Sequence, residues 1–275
     1  MADGADPVAL GQLLRSRRER LVPADVGLPA GTRRRAVGLR REEVALLANV
    51  STTYYTFLEQ GRPVRPSPQV LDALGAALRM SSAERRYLEI LAYGPGGPGV
   101  LGGPGGSGSV ARVPAPEYVD SHVVDLVERL DPFPTYLKGR RWDVLAANAA
   151  ARELFTDWDA LPAADRNLVS WMFTSARARE VYLDWEAEAR AMLGRFRLAA
   201  AAHPNDPDFG ALITRLRRES PHVRDWWPRH DVAVPGSGSK KLLHPRLGPV
   251  DYSHVVLQVA DSPDQTLVTF SPALP

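Results

Sequence analysis

The sequence predicts an α+β protein in two parts, an all-helical N-terminal part and a C-terminal part in which helices cover an antiparallel sheet. Three observations support this. In residues 1–93, apolar residues recur at helical spacing between residues that cap helices. A stretch dominated by glycine and proline follows. Beyond it, amphipathic helical segments are interspersed with short segments that alternate apolar and polar residues, as β-strands do.

Length and composition limit the number of domains and the classes of protein that the sequence can encode. A chain of 275 residues with 44% hydrophobic residues is long enough for two domains with their own cores. The absence of cysteine excludes disulfides, thiolate catalysis and cysteine-based zinc fingers. No apolar run reaches the length of a membrane span, and the first residues lack the pattern of a signal peptide. We therefore expect a soluble, cytoplasmic protein.

Positive charge is concentrated at the N-terminal end. Residues 1–93 contain fourteen arginines and ten acidic residues, whereas the remainder has a small acidic excess. Five of the arginines lie within nine residues, namely Arg33, Arg34, Arg35, Arg40 and Arg41. Such a cluster can neutralise phosphates and give sequence-independent affinity for nucleic acid. A solvated basic loop is the alternative.

Two short helices joined by a tight turn are predicted in residues 38–62, GLRREEVALLANVSTTYYTFLEQGR. The first begins at Arg41, and its apolar residues recur at helical spacing. Asn49 tolerates the left-handed conformation that a sharp turn needs. Ser51 is a good N-cap for the second helix, and Gly61 ends it. The apolar residues of the first helix are Val44, Leu46, Leu47 and Ala48.

This pair is a helix-turn-helix, whose second helix would enter the major groove of DNA. It resembles the Xre/Cro-type bacterial repressors. The resemblance implies that the first exposed residues of the second helix read base edges and that Arg41 contacts a phosphate. An ordinary helical hairpin without a DNA role is the alternative. The predicted DNA-binding residues are Arg33, Arg34, Arg35, Arg40, Arg41, Ser51, Thr52, Thr53, Tyr54, Thr56, Phe57 and Arg62.

Three further helices complete a five-helix domain over residues 1–93. An amphipathic helix is predicted over residues 9–21, followed by an extended loop. Ser67 caps a helix that begins at Pro68, and Ser81 or Ser82 caps a fifth helix that reaches Leu91.

A flexible linker is predicted over residues 94–113. Its first seventeen residues hold nine glycines and three prolines, a composition that cannot bury a core. A phosphate-binding glycine loop is disfavoured because neither GxxxxGK[ST] nor GxGxxG follows a strand here.

Residues 114–275 are predicted to form the second domain, which contains all six tryptophans. A helix over 122–130 is followed by two strands around the charged turn 138–141, and Asn148 opens the next helix. Helices are then predicted over 168–173, 181–202 and 209–218, and residues 226–230 are expected to enter a strand. Strands at 241–244, 250–260 and 265–271 form a meander, which makes about five strands in all.

From residue 10 to residue 268 the chain resembles an MmyB-like transcription regulator. The motifs are VGLP, the helix-turn-helix stretch, SPQVLDAL, RRWDVLAAN, DRNLVSWMF, HPNDP and HPRLG. The resemblance implies an Xre-type domain joined to a PAS-like domain that encloses a fatty-acid-like ligand, in a family found mainly in actinobacteria. Asn49 replaces the usual glycine, and Ala147 replaces a common tryptophan, which would reshape the pocket.

The tryptophan, phenylalanine and methionine side chains of this domain make an apolar ligand cavity plausible, although each could be plain core. Arg166, Asn167, Asn148 and His230 are candidates for contacting a carboxylate or headgroup, and Asn148 could instead serve as a helix cap. The predicted ligand-binding residues are Trp142, Leu145, Asn148, Phe155, Arg166, Asn167, Leu168, Met172, Phe173, Trp185, Trp227 and His230.

Catalysis, metal binding and cofactor binding are not predicted. The histidines have no metal-ligand spacing, Gly-x-Ser-x-Gly is absent, and adjacent His230 and Asp231 would point to opposite faces of a strand. The sequence thus predicts a homodimeric regulator that binds double-stranded operator DNA and a hydrophobic small molecule, without membrane association. A second domain that serves only for dimerisation or protein contact is the alternative.

Overall fold

The computed structural model describes residues 4–29, 38–97, 117–234 and 236–273. The chain divides into two compact units. The first comprises Met1–Gly108 with two short segments from later in the chain, Ala201–Asn205 and Pro228–Val232. The second comprises Ser109–Ala200, Asp206–Trp227 and Ala233–Pro275. Most of the predicted linker, from residue 98 to 113, lies outside the described residues, and its flexibility stays a prediction.

In the residues that the structure describes, five α-helices form the first unit, as predicted. They are α1 (Pro7–Arg20), α2 (Arg41–Leu47), α3 (Thr52–Glu59), α4 (Pro68–Ala77) and α5 (Ser82–Tyr93). The core of this unit contains Leu10, Leu13, Leu14, Leu39, Val44, Ala45, Tyr55, Leu58, Leu71, Leu74, Leu78, Leu88 and Leu91.

Side-chain caps fix where these helices begin. The Ser67 hydroxyl accepts a hydrogen bond from Val70 N at 3.3 Å. Ser81 accepts one from Glu84 N at 3.4 Å, while the Glu84 carboxylate accepts one from Ser81 N at 2.7 Å. Each bond satisfies a backbone N–H that has no partner within its helix. Ser81 is therefore the cap of α5.

The turn between α2 and α3 has the backbone that the sequence predicts. Asn49 adopts a φ of +53°, and Gly61 at the end of α3 adopts a φ of +68°. One side chain differs from the predicted apolar face of α2. Leu46 is 73% exposed, because the seven-residue helix buries Val44 and Ala45 instead.

A five-stranded antiparallel sheet organises the second unit, which confirms the predicted fold class. Its strands are β1 (Thr135–Lys138), β2 (Val144–Ala147), β3 (Gly238–His244), β4 (Gly248–Val259) and β5 (Ser262–Pro272). They lie in the order β2-β1-β5-β4-β3, so the first strand pairs with the last. Leu137 of β1 is opposite Ala146 on one side and Leu267 on the other.

Alternation along the strands gives the sheet two buried surfaces. Tyr136, Val268 and Phe270 face a large core formed with the helices that lie between β2 and β3 in the chain. Leu137 and Leu267 face the opposite side and pack against Val127. Slipping a strand by one residue would exchange the two sets, so both cores specify the register.

The helices of the second unit are α6 (Ser121–Arg129), α7 (Ala149–Leu154), α8 (Leu168–Thr174), α9 (Ala176–Val181), α10 (Trp185–Ala201), α11 (Pro207–Glu219) and α12 (Pro221–Trp226). Helix α10 begins later than predicted, because Tyr182 leaves the helical path and forms a β-bridge with Leu242.

The strand predicted around residues 226–230 was wrong. That stretch ends helix α12 and continues as a 3-10 turn, Trp227–Arg229. The reason is local: Ser220 accepts a hydrogen bond from Val223 N at 3.4 Å, and Pro221 occupies the first helical position. A serine-proline helix start thus outweighs the strand preference of paired tryptophans.

Candidate nucleic-acid interface and ligand site

The first turn of α3 presents polar side chains to solvent. Ser51 precedes the helix in extended conformation, and its hydroxyl accepts a hydrogen bond from Tyr54 N at 3.1 Å. Thr52 and Thr53 follow, both exposed. A threonine hydroxyl can bond to base edges, and its methyl group suits the thymine methyl group. Three predicted DNA-binding residues therefore lie together and are accessible.

The next turn of α3 is less exposed. Thr56 Oγ1 donates to the Thr52 carbonyl oxygen at 2.7 Å, so its hydroxyl proton is already committed within the helix. Phe57 is partly buried, with the Arg62 guanidinium carbon 4.2 Å from the centre of its ring. Partial burial also raises the pKa of Tyr54, which remains a neutral phenol. The surface of this turn is mainly apolar, and the nearby Arg62 side chain is positively charged.

A buried ion network fixes the inner side of α3. Glu59 accepts hydrogen bonds from Arg18 Nε at 2.7 Å and from Arg41 Nη2 at 2.8 Å. Arg18 also donates to the Leu39 carbonyl oxygen at 2.8 Å. Burial would raise the pKa of Glu59, but the bonds from both arginines outweigh it, and the pKa lies below its ordinary value. The network joins α1, α2 and α3.

Two predicted phosphate-contacting arginines lie at the start of α2. The Arg40 side chain is exposed, with Nη1 3.6 Å from a Glu42 carboxylate oxygen. Arg41 is paired with Glu59 yet remains 44% exposed, so it has a structural role that the sequence did not predict. Arg33, Arg34 and Arg35 lie outside the described residues, and their role stays a prediction.

Most of the predicted ligand-binding residues come together in the large core of the second unit. Trp142, Phe155, Leu168, Met172 and Phe173 are buried there, and Trp185 and Trp227 pack against its edge. The rings contact one another mainly at steep angles, such as Phe155 on Trp171 with centroids 5.9 Å apart. Because these rings already touch, a ligand would have to displace side chains, which adaptable methionines make easier.

Leu145 does not belong to this group. It points to the other face of the sheet and packs with Val127, Leu137 and Leu267 under α6. The alternation along β2 explains the error, since neighbouring strand residues face opposite sides.

The predicted headgroup residues have structural partners. Asn148 Oδ1 accepts from Ala151 N and Thr135 N, both at 3.0 Å, and caps α7. Asn167 caps α8 and donates to the Arg141 carbonyl oxygen at 2.8 Å. Arg166 donates to the Leu161 carbonyl oxygen at 2.9 Å. Each of the three side chains thus has a structural partner within the protein, and a role of any of them in ligand binding stays a prediction.

His230 belongs to the first unit, not to the aromatic core of the second. Its ring centroid lies 6.5 Å from that of Tyr87 on α5. The carbonyl oxygen of Arg229 beside it accepts hydrogen bonds from Ser16 Oγ at 2.8 Å and Arg20 Nη2 at 2.6 Å. The sequence could not show this, because these partners lie more than 200 positions apart.

Two separate sets of contacts made by basic side chains of the second unit were missed by sequence reasoning. Lys240 donates a short hydrogen bond to Glu188 Oε2, and Arg195 Nη2 lies 4.0 Å from the same oxygen. The Lys138 ammonium is 4.3 Å from the centre of the Trp142 ring. The available signal was the rarity of lysine, of which the chain has only three.

Lys138 is the most perturbed of these groups. Burial, reinforced by the charge of Arg195, lowers the pKa of its ammonium to about 8. Burial likewise lowers the pKa of Lys240, which the Glu188 carboxylate only partly restores.

In the part of the chain that the structure describes, no group of three histidine, aspartate or glutamate side chains is arranged to hold a metal ion. The same residues include no helix whose length and apolar character would let it cross a membrane.

Comparison with known proteins identifies both units. Residues 119–275 match the family model described as the MmyB-like transcription regulator ligand binding domain. Residues 9–88 match the model of a helix-turn-helix domain. A search of curated proteins gave no match.

Proposed function

Since this chain belongs to the MmyB-like transcription regulators, which join a DNA-binding helix-turn-helix domain to a ligand-binding domain, we propose a separate function for each unit. The first unit binds operator DNA as part of a homodimer. The second unit takes up a hydrophobic small molecule such as a fatty acid and thereby alters operator affinity. The change in the free energy of operator binding equals the difference between the ligand's binding free energies for the DNA-bound and the DNA-free protein.

The exposed first turn of α3 is the observation that carries the DNA-binding proposal. Thr52 and Thr53 point to solvent, while Glu59 at the other end of the helix is held by two arginines. A helix that is fixed on one side and polar on the other can enter the major groove without rearrangement. Arg40, Arg41 and Arg62 would then lie near phosphates, joined by Arg33, Arg34 and Arg35.

The arginine triplet gives a test through salt dependence. Replacing Arg33, Arg34 and Arg35 together by alanine should weaken binding to operator and to unrelated DNA alike. The slope of log affinity against log salt should become shallower by up to about 2.7, since each phosphate contact contributes ~0.9. Fluorescence anisotropy at several salt concentrations measures both quantities.

A matched control removes the same charge elsewhere. Arg217, Arg218 and Arg224 are exposed arginines of the second unit, and their replacement by alanine should leave the slope unchanged. If the triplet variant keeps the wild-type slope, the proposed phosphate contacts are refuted.

The ligand proposal rests on the aromatic core of the second unit. Its buried residues include Tyr136, Phe155, Trp171, Tyr182 and Phe270, which come from strands and helices on one face of the sheet. Large apolar surfaces with few polar groups are typical of sites for small hydrophobic molecules.

Denaturing the purified protein is expected to release a bound amphiphile, which mass spectrometry would detect. Delipidated protein should regain thermal stability when a fatty acid is added, because a ligand of the folded form raises the melting temperature. At a ligand concentration 100 times Kd, the free energy of unfolding rises by about 2.7 kcal/mol. Absence of both the released molecule and the stability gain would favour a domain that only dimerises, and sedimentation equilibrium tests the dimer itself.

A further inference from the structure

We propose that the indole N–H groups of Trp158 and Trp171 form a hydrogen-bonding subsite in the aromatic core of the second unit, which binds a neutral carbonyl oxygen of the ligand. This inference rests on the proposed function, because it adds a recognition element to the same ligand site. The ligand would be an apolar molecule with a ketone or ester group in its buried part.

Two buried donors are the first argument. Trp158 is 1% exposed and Trp171 is 4% exposed. The Nε1 atom of each has no hydrogen-bond partner within the part of the chain that the structure describes. By contrast, Trp185 Nε1 donates to the Met172 carbonyl oxygen at 3.1 Å. A buried N–H group without an acceptor is unfavourable, because folding removes its bond to water without replacing it. An acceptor on a ligand would replace that bond.

Position is the second argument. Trp158 lies in a 3-10 turn after α7 and Trp171 lies in α8, so two separate elements bring the indoles together. Their ring centroids are 5.6 Å apart. Trp171 also contacts Phe155 and Tyr182, with centroids 5.9 Å and 6.2 Å away. All four rings belong to the core on which the ligand proposal rests. A single ligand in this core can therefore approach both donors.

The surroundings favour a neutral acceptor over an anion. A basic side chain lies over the ring of each of the other four tryptophans, but within the described ranges none lies over Trp158 or Trp171. A carboxylate beside these two indoles would be buried without a counter-charge, which is costly. A carbonyl oxygen is uncharged and has two lone pairs for two donors. The four pairs are Lys138 with Trp142, Arg179 with Trp185, Arg190 with Trp226 and Arg197 with Trp227.

A ketone and its methylene isostere test the proposal on the full-length protein. Undecan-6-one and 6-methylideneundecane have similar shapes, but only the ketone has an acceptor. We expect the ketone to bind ~5- to 10-fold more tightly, because a net hydrogen bond contributes a factor of about this size. In a core without free donors the order would be reversed, since an unsatisfied carbonyl is costly to bury. Tryptophan fluorescence titrations measure both affinities, with the probes delivered from a cyclodextrin whose affinity for each is known.

Indole N–H signals in proton–nitrogen correlation spectra show which tryptophans are involved. The ketone should shift the Trp158 and Trp171 protons downfield, because a hydrogen bond deshields the donated proton, and the isostere should not. Trp158→Phe and Trp171→Phe assign the signals. Each keeps an aromatic ring, removes one donor and should reduce the preference for the ketone. Trp226→Phe, in the same core, is the matched control and should leave that preference unchanged.

The outcomes distinguish the subsite from ligand binding in general. Equal or reversed affinities of the two probes, or Trp158 and Trp171 signals that respond alike to both, would overturn the carbonyl subsite while leaving hydrophobic ligand binding intact. Binding of hexadecanoate without binding of either probe would have the same meaning. If hexadecanoate and both probes all fail to bind, the proposed ligand sensing fails, and the subsite fails with it.

Discussion

Replacing Glu59 by alanine is expected to destabilise the first unit by about 3–5 kcal/mol, the cost typical of leaving a buried charge without its partner. Only 1% of the Glu59 side chain is exposed, and Arg18, which it binds through two nitrogens, is also buried. Without the carboxylate, the Arg18 guanidinium keeps its Leu39 contact and the exposed Glu19 at 3.5 Å, but it loses its buried counter-charge. Because this network joins α1, α2 and α3, the loss should loosen the reading helix itself.

Hydrogen exchange of the full-length protein measures this effect locally. Amides of α1 and α3 should exchange faster in the variant, whereas those of the sheet should not change. Glu42→Ala is the control, since Glu42 belongs to an exposed pair that contributes little. An Arg18→Met and Glu59→Met double variant should recover most of the stability, because apolar residues can replace a buried pair. Unchanged exchange in Glu59→Ala would show that the network is not structural.

The same network predicts how stability depends on pH. The pKa of Glu59 is lowered in the folded state, so the unfolded chain binds a proton more readily as acid is added. The contribution of Glu59 is therefore complete above the ordinary glutamate pKa and is lost as pH falls through the lowered value. Glu59→Gln should flatten this part of the stability profile.

Thr53→Glu is expected to weaken operator binding by about 2–3 kcal/mol, or ~30- to 150-fold, which matches the loss of one base contact with added repulsion from phosphates. The protein should nevertheless stay folded. Position 53 lies in the first turn of α3, where a negative charge is favourable to the helix. The substitution thus separates DNA recognition from stability.

Anisotropy titrations on an operator recovered by in vitro selection would measure the loss, with melting temperatures recorded in parallel. Ser82→Glu is the matched control, because Ser82 is exposed in the first turn of α5 and gains the same charge. It should change affinity by less than ~3-fold. Equal losses in the two variants would mean that net charge, not the face of α3, controls binding.

Local signals were sufficient to determine much of this protein. Caps such as Ser51 and Ser67 fix the starts of their helices, and Asn49 supplies the left-handed turn, because these effects act within three or four residues. Alternating patterns likewise predicted the last three strands, although β3 and β5 are longer than the alternating segments that predicted them. The Pro221 helix start shows the limit, since a cap outweighed strand preference there.

Tertiary structure alone decided which side chains share a site. Arg41 has a buried partner on α3, and His230 belongs to the first unit. Asn167 caps α8 and donates to Arg141 O and Asp143 Oδ1. The sequence shows none of these contacts. Conversely, Lys240 of β3 pairs with Glu188 of α10, which lies 52 positions away in the chain. The reason is physical: caps and periodicity act between neighbours in the chain, whereas charge pairing and burial depend on distances that only the folded chain sets.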